Sequence, residues 1–84
     1  MPGPIKRSVT IAGHETSISL EPVFWDALRV AALEEALPVN ALIARLDMER
    51  IAESDPSNLA SAIRVWLYQR LNQRQNQRLS NTRA

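Results

Sequence analysis

The sequence predicts a mainly α-helical fold with an N-terminal β-ribbon, completed by a second copy of the chain. Ser, Thr, Val and Ile dominate residues 6–20, as they do in strands, whereas residues 21–71 carry apolar side chains at helical spacing. The chain has 84 residues, of which 45% are hydrophobic and none is a cysteine. A core this small is marginal, and neither disulfides nor thiolate zinc sites can support it. We therefore expect an obligate oligomer.

The strand region predicts either one strand or a hairpin. Residues 1–5 contain two prolines and a glycine and are expected to form a loose arm. Ala12-Gly13 interrupts the region that follows, which can divide into two short strands, Lys6–Ile11 and Glu15–Leu20, although Ala12 is a poor residue for a tight two-residue turn. A lone strand or hairpin is unstable by itself. The simplest partner is the same strand of another chain, paired about a two-fold axis.

A hairpin in which Thr10 lies opposite Glu15 separates the side chains by polarity. One face is then wholly polar, and the other is apolar except for Arg7. The polar face carries Lys6, Ser8, Thr10, Glu15, Ser17 and Ser19, and the apolar face carries Val9, Ile11, Thr16 and Ile18.

Three helices are expected after the strands. Glu21-Pro22 opens the first helix, because proline is favoured at the first helical positions, and Pro38 ends it. Asn40 is the expected N-cap of the second helix, which runs to about Ala52, and the third helix starts at about Leu59. The apolar stripes are Phe24, Leu28, Ala31 and Ala32 in the first helix, Leu42, Ile43, Leu46 and Ile51 in the second, and Leu59, Ile63, Trp66, Leu67 and Leu71 in the third.

The charges divide the chain unevenly. Residues 1–55 contain all nine acidic residues and five basic ones, whereas residues 56–84 contain five arginines and no acid. The chain is polar on every side after residue 71, so that the folded domain is expected at 6–71 and a frayed or disordered basic tail at 72–84. This segregation suggests that the tail binds an acidic partner, either nucleic acid, a membrane or an acidic protein face.

The sequence offers no catalytic or metal site, and no cofactor is expected. His14 is the only histidine and is expected to be a turn residue. Asp47, Glu49 and Glu53 are typical of a solvated helix face rather than of acid catalysis, and no phosphate loop or nucleophile motif is present. The lack of an 18-residue apolar run and of a signal-peptide core predicts a cytoplasmic protein, and its compactness suggests a bacterial one.

Four stretches carry a resemblance to a known family. The chain resembles the ribbon-helix-helix family of Arc/MetJ-type bacterial repressors over residues 16–28 (TSISLEPVFWDAL) and 37–43 (LPVNALI). With residues 6–11 (KRSVTI) and 58–64 (NLASAIR), it resembles more narrowly a small proteobacterial subfamily of ribbon-helix-helix domain proteins. The third helix is an addition to the two-helix pattern. The resemblance covers roughly residues 6–70.

The resemblance implies a two-fold dimer whose paired strands form a ribbon in the DNA major groove. Strand alternation then points Glu15, Ser17 and Ser19 towards the bases. In such repressors the N-terminus of the second helix binds a phosphate through free backbone N–H groups. The expected phosphate contacts are Lys6, Arg7, Val39, Asn40, Ala41, Arg74 and Arg78. The expected dimer core is Ile18, Leu20, Phe24, Leu28, Leu42, Ile43, Leu46, Ile63 and Trp66.

The leading hypothesis is a non-enzymatic, homodimeric or higher-order transcriptional regulator that binds double-stranded DNA as a repressor. The alternative is a protein-interaction module, antitoxin-like or an adaptor, whose basic tail clasps an acidic protein. Glu15 motivates the alternative, because the family tends to place a basic or amide side chain there. The hairpin motivates it too, since four strands span roughly 14 Å and the major groove is about 12 Å wide. Membrane association is not favoured, because the apolar face fades after Leu71.

Overall fold

The computed structural model describes residues 3–55 and 57–81. Two antiparallel strands, β1 (Ile5–Ile11) and β2 (His14–Leu20), form a hairpin. Three helices follow it: α1 (Pro22–Glu34), α2 (Val39–Ala52) and α3 (Leu59–Asn81). The predicted fold class, mainly helical with an N-terminal ribbon and an added C-terminal helix, is confirmed. Both strands begin one residue earlier than expected, so that His14, predicted in the turn, is the first residue of β2.

The hairpin has the register that the polarity pattern predicts. Thr10 lies opposite Glu15, and the two residues between the strands, Ala12 and Gly13, have φ angles of 52° and 80°. Positive φ at both central residues is the geometry of a type I′ turn, whose twist matches that of the strands. Ala12 adopts this left-handed conformation at a steric cost that glycine avoids.

The core lies between the apolar face of the hairpin and the three helices. Leu20, Leu28, Leu42, Ile43 and Ile63 are completely buried, so that β2 and all three helices meet in one cluster. Each such aliphatic side chain stabilises the fold by about 1.5–3 kcal/mol when it is fully buried. The remaining buried members are Val9, Ile18, Trp25, Ala31, Ala32, Leu46 and Leu67.

A left-handed residue, rather than Pro38, ends the first helix. Helix α1 stops at Glu34, and Ala36 has a φ of 56°. The amide of Leu37 donates a hydrogen bond of 2.9 Å to the carbonyl of Ala32, which completes a Schellman motif. The prediction that Pro38 ends α1 is therefore wrong.

The prediction that Asn40 caps α2 is also wrong. Pro38 occupies the N-cap position in an extended conformation, and its carbonyl accepts a hydrogen bond of 3.1 Å from the amide of Leu42. Asn40 therefore lies within the first turn. An asparagine does cap the next helix, because Oδ1 of Asn58 accepts a hydrogen bond of 2.8 Å from the amide of Ser61.

Helix α3 continues to Asn81, through most of the stretch 72–84 that the sequence predicts to be frayed or disordered. Residues 82–84 lie outside the described part of the chain. Ile63 and Leu67 are buried as expected, but Leu71 is 57% exposed. In α2, Ile51 is 63% exposed. The predictions that Leu71 and Ile51 face inward are wrong, because both residues lie where their helices extend past the core.

Candidate nucleic-acid interface

The outer face of the hairpin is the candidate interface. Its six side chains are all exposed: Lys6, Ser8, Thr10, Glu15, Ser17 and Ser19. Four of them are hydroxyls, which donate and accept hydrogen bonds as base edges require. One cation and one carboxylate make the formal charge of this polar face zero. Ser8 and Thr10 were not among the expected base-reading residues, although the register was a signal that could have found them.

Arg7 lies on the other side of β1. Its guanidinium carbon is 5.2 Å from the centroid of the Trp25 ring, a cation–π contact at the edge of the core. The indole Nε1 of Trp25 donates a hydrogen bond of 2.9 Å to the carbonyl of Ile5, which ties the start of β1 to α1. Of the two basic β1 residues expected at phosphates, Lys6 lies on the polar face and Arg7 does not.

Strand β2 has a free edge beside α3. In a two-stranded sheet, the outer edge of each strand presents N–H and C=O groups that no neighbouring strand pairs. The carbonyl of Ser19 belongs to that edge, because it accepts a hydrogen bond of 3.4 Å from Nη2 of Arg64. Backbone groups alternate in direction along a strand, so those of Glu15 and Ser17 face the same edge. A strand from another chain can add there.

The N-terminus of α2 presents backbone donors. The amides of Val39, Asn40 and Ala41 precede the first intrahelical hydrogen bond, which joins Leu42 to Pro38. No side chain among the described residues caps this end of the helix. Free N–H groups and the positive end of the helix dipole favour an anion. That these three residues bind phosphate stays a prediction.

Two arginines of α3, Arg70 and Arg74, are held by carboxylates at the end of α1. Arg70 donates to Glu34 at 3.0 Å and to Glu35 at 3.2 Å, and Arg74 lies 2.8 Å from Glu34. The hydrogen bond from Arg70 lowers the pKa of Glu34, and that from Arg45 lowers the pKa of Glu35. Reciprocally, the hydrogen bond to Glu34 raises the pKa of Arg70. Arg74, expected at a phosphate, is therefore paired within the chain.

A second ion pair joins the start of α1 to α3. Nε of Arg64 donates to Glu21 at 2.9 Å, which lowers the pKa of that carboxyl, and the guanidinium carbon of Arg64 lies 5.8 Å from the centroid of the Phe24 ring. Sequence reasoning missed these pairs, because Glu21 and Arg64 are 43 positions apart and no local pattern relates them. The side chain of Arg78, expected at a phosphate, lies outside the described part of the molecule.

Most of the residues expected to form a dimer core are buried within one chain. Seven of the nine are buried: Ile18, Leu20, Leu28, Leu42, Ile43, Leu46 and Ile63. Phe24 and Trp66 are half-buried and accessible from outside. A dimer built on the nine residues stays a prediction.

The described part of the chain contains no cluster of metal-ligating side chains. Among those residues, no group of three or more His, Cys, Asp or Glu side chains is placed to hold a metal ion. His14 is exposed at the start of β2. None of the helices within residues 3–55 and 57–81 is both long enough and apolar enough to cross a membrane.

The two-stranded ribbon has a polar outer face and packs on the helices through its inner face. This arrangement defines a small ribbon-and-helix protein. The chain belongs to the ribbon-helix-helix domain family, whose sequence model matches residues 4–71. Members of this family are typically DNA-binding regulators and usually dimerise, and the fold is a non-enzymatic one. No curated protein and no solved structure matches the chain significantly.

Proposed function

We propose that the protein is a dimeric transcriptional regulator that presents the polar face of its hairpin to the major groove of double-stranded DNA. The observation that carries the proposal is this exposed face, directly before α1, in a chain whose family typically binds DNA. Its serine and threonine hydroxyls suit base edges, because each hydroxyl can donate or accept a hydrogen bond.

Strand β2 supplies the base contacts in this proposal. If the free edges of two β2 strands pair, the strand order across the dimer is β1-β2-β2-β1. At about 4.8 Å between neighbours, the outer strands are roughly 14 Å apart and the groove is about 12 Å wide. The two β2 strands therefore face the groove, and the two β1 strands stand over the phosphate backbones. Glu15, Ser17 and Ser19 then face bases, and Lys6 faces phosphate.

Glu15 is compatible with this arrangement at one kind of base. A carboxylate accepts a hydrogen bond from the N4 amino group of cytosine, whereas phosphates repel it. Pairing Ser17 with its counterpart in the second copy sets Glu15 opposite Ser19 rather than opposite the other Glu15, which avoids a like-charge pair. The proposal therefore includes selection for cytosine at the positions that Glu15 faces.

Among the side chains that the structure describes, few of the cations expected at phosphates are available in this arrangement. The α3 residue Arg74 is engaged by Glu34, which leaves Lys6 and the amides of Val39, Asn40 and Ala41 as the contacts we propose. Because each phosphate neutralised by a cation contributes about −0.9 to the slope of log K against log salt concentration, we expect a shallow slope for this protein.

The proposal is tested by selecting duplexes from a random library and titrating the enriched duplex with salt by fluorescence anisotropy. Lys6→Ala should make the log–log slope shallower by about 2, one phosphate for each copy in the dimer. Arg29→Ala, which removes an exposed α1 cation outside the polar face, is the matched control and should leave the slope unchanged.

A serine variant tests the base contacts separately. Ser17→Ala should weaken binding to the selected duplex by about 1–3 kcal/mol and leave binding to random duplex unchanged, because only a base contact carries sequence information. Enrichment of no sequence would contradict the proposal.

The alternative function is a dimeric protein-interaction module with the same fold. Two observations favour it: the polar face has no net formal charge, and Arg64, Arg70 and Arg74 are paired within the chain. A polar face without net charge has no electrostatic pull on DNA. A flat salt response for the wild-type protein, together with a failed selection, would support this module.

A further inference from the structure

A groove runs between α2 and α3 and shares no residue with the polar face of the hairpin. Side chains at positions i, i+3, i+4 and i+7 lie on one face of a helix, so the groove follows both helices for about two turns, or roughly 10 Å. It has a volume of about 380 Å³. Each helix lines it with four residues at this spacing: Leu46, Glu49, Arg50 and Glu53 of α2, and Ala62, Val65, Trp66 and Gln69 of α3.

The floor of the groove is apolar. Leu46 is buried and Ala62 and Trp66 are half-buried, whereas Val65 is 55% exposed. Covering an exposed valine and the accessible part of an indole ring with a partner is favourable, because apolar surface leaves water. An apolar strip between two helices is suited to the apolar face of a third helix.

Carboxylates line the α2 side of the groove. Glu49 and Glu53 are exposed, and neither forms an ion pair with a cation among the described side chains. The two residues are four positions apart, so they are neighbours on the surface of α2. Asp55 adds a third carboxylate just beyond the end of α2, where the negative end of the helix dipole also favours a cation.

Hydrogen bonds fix Asp55 in place. Its amide donates to the carbonyl of Arg50 at 3.0 Å, and its Oδ1 accepts a hydrogen bond of 2.9 Å from the amide of Ser57. The hydrogen bonds from Ser57 lower the pKa of the Asp55 carboxyl, which is therefore ionised at neutral pH. The guanidinium of Arg50 donates to Asp47 at 2.7 Å and to the carbonyl of Ser57 at 3.1 Å. Asp47 does not line the groove, so it offsets the charge of Arg50 and leaves the groove negative.

This negative charge decides which occupant fits. Three carboxylates repel the phosphates of a nucleic acid and the headgroups of an anionic lipid. A second copy offers no matching cations from α3, because Arg64, Arg70 and Arg74 are already paired with carboxylates of their own chain. A helix that carries cations at positions i and i+4 beside an apolar stripe matches both the carboxylates and the floor.

We propose that the α2–α3 groove docks a basic amphipathic helix of a partner protein. The lysines or arginines of that helix face Glu49, Glu53 and Asp55, and its apolar stripe covers Val65 and Trp66. Contact over two helical turns buries less than the roughly 800 Å² per partner of a stable interface, so we expect a reversible complex with a micromolar Kd. The inference requires neither the DNA contact nor the pairing of β2.

Fluorescence anisotropy of a labelled peptide tests the proposal on the full chain. The probe is a synthetic amphipathic helix of leucine and lysine, and its twin carries glutamate at every lysine position. The leucine–lysine peptide should bind the wild type, and the twin should not. Glu53→Lys should raise the Kd of the leucine–lysine peptide by about tenfold or more, because attraction becomes repulsion.

Asp26→Lys is the matched control for this charge. It makes the same change of charge at an exposed position of α1, outside the groove, and should raise the Kd by less than about threefold. Equal Kd values for Glu53→Lys and Asp26→Lys would overturn the proposal, and so would equal binding of the leucine–lysine peptide and its twin.

A valine variant separates a docking groove from an acidic patch. Val65→Ser should raise the Kd by about fivefold or more, because it removes an apolar contact. Ile51→Ser is the control, since Ile51 is 63% exposed on α2 but does not line the groove, and its Kd should equal that of the wild type. Val65 and Glu53 are both exposed, so these variants keep the buried core. Binding that depends on Glu53 and not on Val65 would overturn the proposal in favour of a general attraction of cations.

Sedimentation equilibrium decides whether a second copy occupies the groove instead. The mass of the wild-type assembly should rise by the mass of the bound peptide, with the number of chains unchanged. A peptide that separates the chains would overturn the proposal, because the groove would then belong to an interface between copies.

The peptide titration and the duplex selection have independent outcomes. A wild type that selects a duplex but does not bind the leucine–lysine peptide overturns this inference and leaves the proposed function standing. A wild type that binds the peptide through Glu53 and Val65 but selects no duplex upholds this inference and overturns the DNA-binding proposal.

Discussion

Left-handed residues follow the ends of β1, α1 and α2. Ala12, Ala36 and Ser54 all have φ angles between 52° and 56°, and each follows directly on a strand or lies just beyond a helix. This conformation costs an ordinary residue roughly 1–2 kcal/mol, and glycine adopts it freely. Among the residues that the structure describes, only Gly13, with a φ of 80°, is a glycine at such a position. The connections therefore hold a steric cost that single substitutions can remove.

Ala36→Gly should stabilise the protein. The substitution removes the left-handed cost at the end of α1 and adds the chain entropy of a glycine in the unfolded state, about 0.5–1 kcal/mol, so that a net gain of about 0.5–1 kcal/mol remains. Urea denaturation measures the change. Ala44→Gly, at a half-buried position inside α2, is the control and should lower the free energy of unfolding. A loss of stability in Ala36→Gly would contradict the assignment of a Schellman motif.

Local polarity was sufficient to predict individual strand residues. The alternation of residues 6–20 gave the register and identified Arg7 as the one charged residue on the apolar face. The alternation could not give the reason, which is the Trp25 ring beneath the guanidinium. Arg7 lies in β1 and Trp25 in α1, and the two side chains meet only when the hairpin packs on the helix. The serines of the polar face followed from the same alternation, but their roles came from the family resemblance.

At the scale of elements, the sequence predicts which strands and helices form better than it predicts where they begin and end. The apolar stripes located all three helices, because a 3.6-residue period is local and needs no tertiary contact. The predicted ends are wrong at two places: Pro38 does not end α1, and Asn40 does not cap α2. Each residue has a strong sequence signature for the role that it does not take. Ala36 ends α1 although alanine carries no turn signature. Leu71 fits the α3 stripe, yet the core ends before it.

Helices α1 and α3 are joined by a carboxylate–arginine cluster, Glu34 and Glu35 with Arg70 and Arg74, that no local pattern predicts. Glu34 and its partners are 36 and 40 positions apart. Hydrogen bonds hold the pKa of both carboxyls below the ordinary value of 4.5. A lowered folded-state pKa contributes stability that is complete above that ordinary value and is lost as pH falls through the folded-state pKa. Unfolding should therefore become easier below about pH 4.5.

Glu34→Gln tests this cluster. The variant should be less stable than the wild type at pH 7 and should lose less stability between pH 5 and pH 3, because one of the titrating contributions is gone. Denaturant unfolding at a series of pH values measures both changes. Glu49→Gln, an exposed residue of α2 outside the cluster, serves as the control. An acid profile in Glu34→Gln identical to that of the wild type would show that the cluster contributes nothing.

At the scale of the whole molecule, ion pairs join the acidic and the basic parts of the described chain. The sequence predicts that the arginine-rich C-terminal part binds an acidic partner. In the fold, Arg64, Arg70 and Arg74 are paired with carboxylates of the same chain. Among the described residues, the polar face of the hairpin and the free edge of β2 stay open to other molecules. The polar face is suited to a hydrogen-bonding ligand.

If the protein is a dimer paired through the free edge of β2, folding and assembly are coupled, and thermal stability must depend on concentration. Unfolding of a dimer to two chains shifts by about 1.4 kcal/mol for each tenfold increase in protein concentration. With an unfolding entropy of about 2.1 cal/mol/K per residue over two chains, Tm should rise by about 4 °C per tenfold increase. Calorimetry from micromolar to millimolar protein measures this slope. A wild-type Tm that stays constant over this range would mean that the core of Leu20, Leu28 and Ile63 suffices in a single chain.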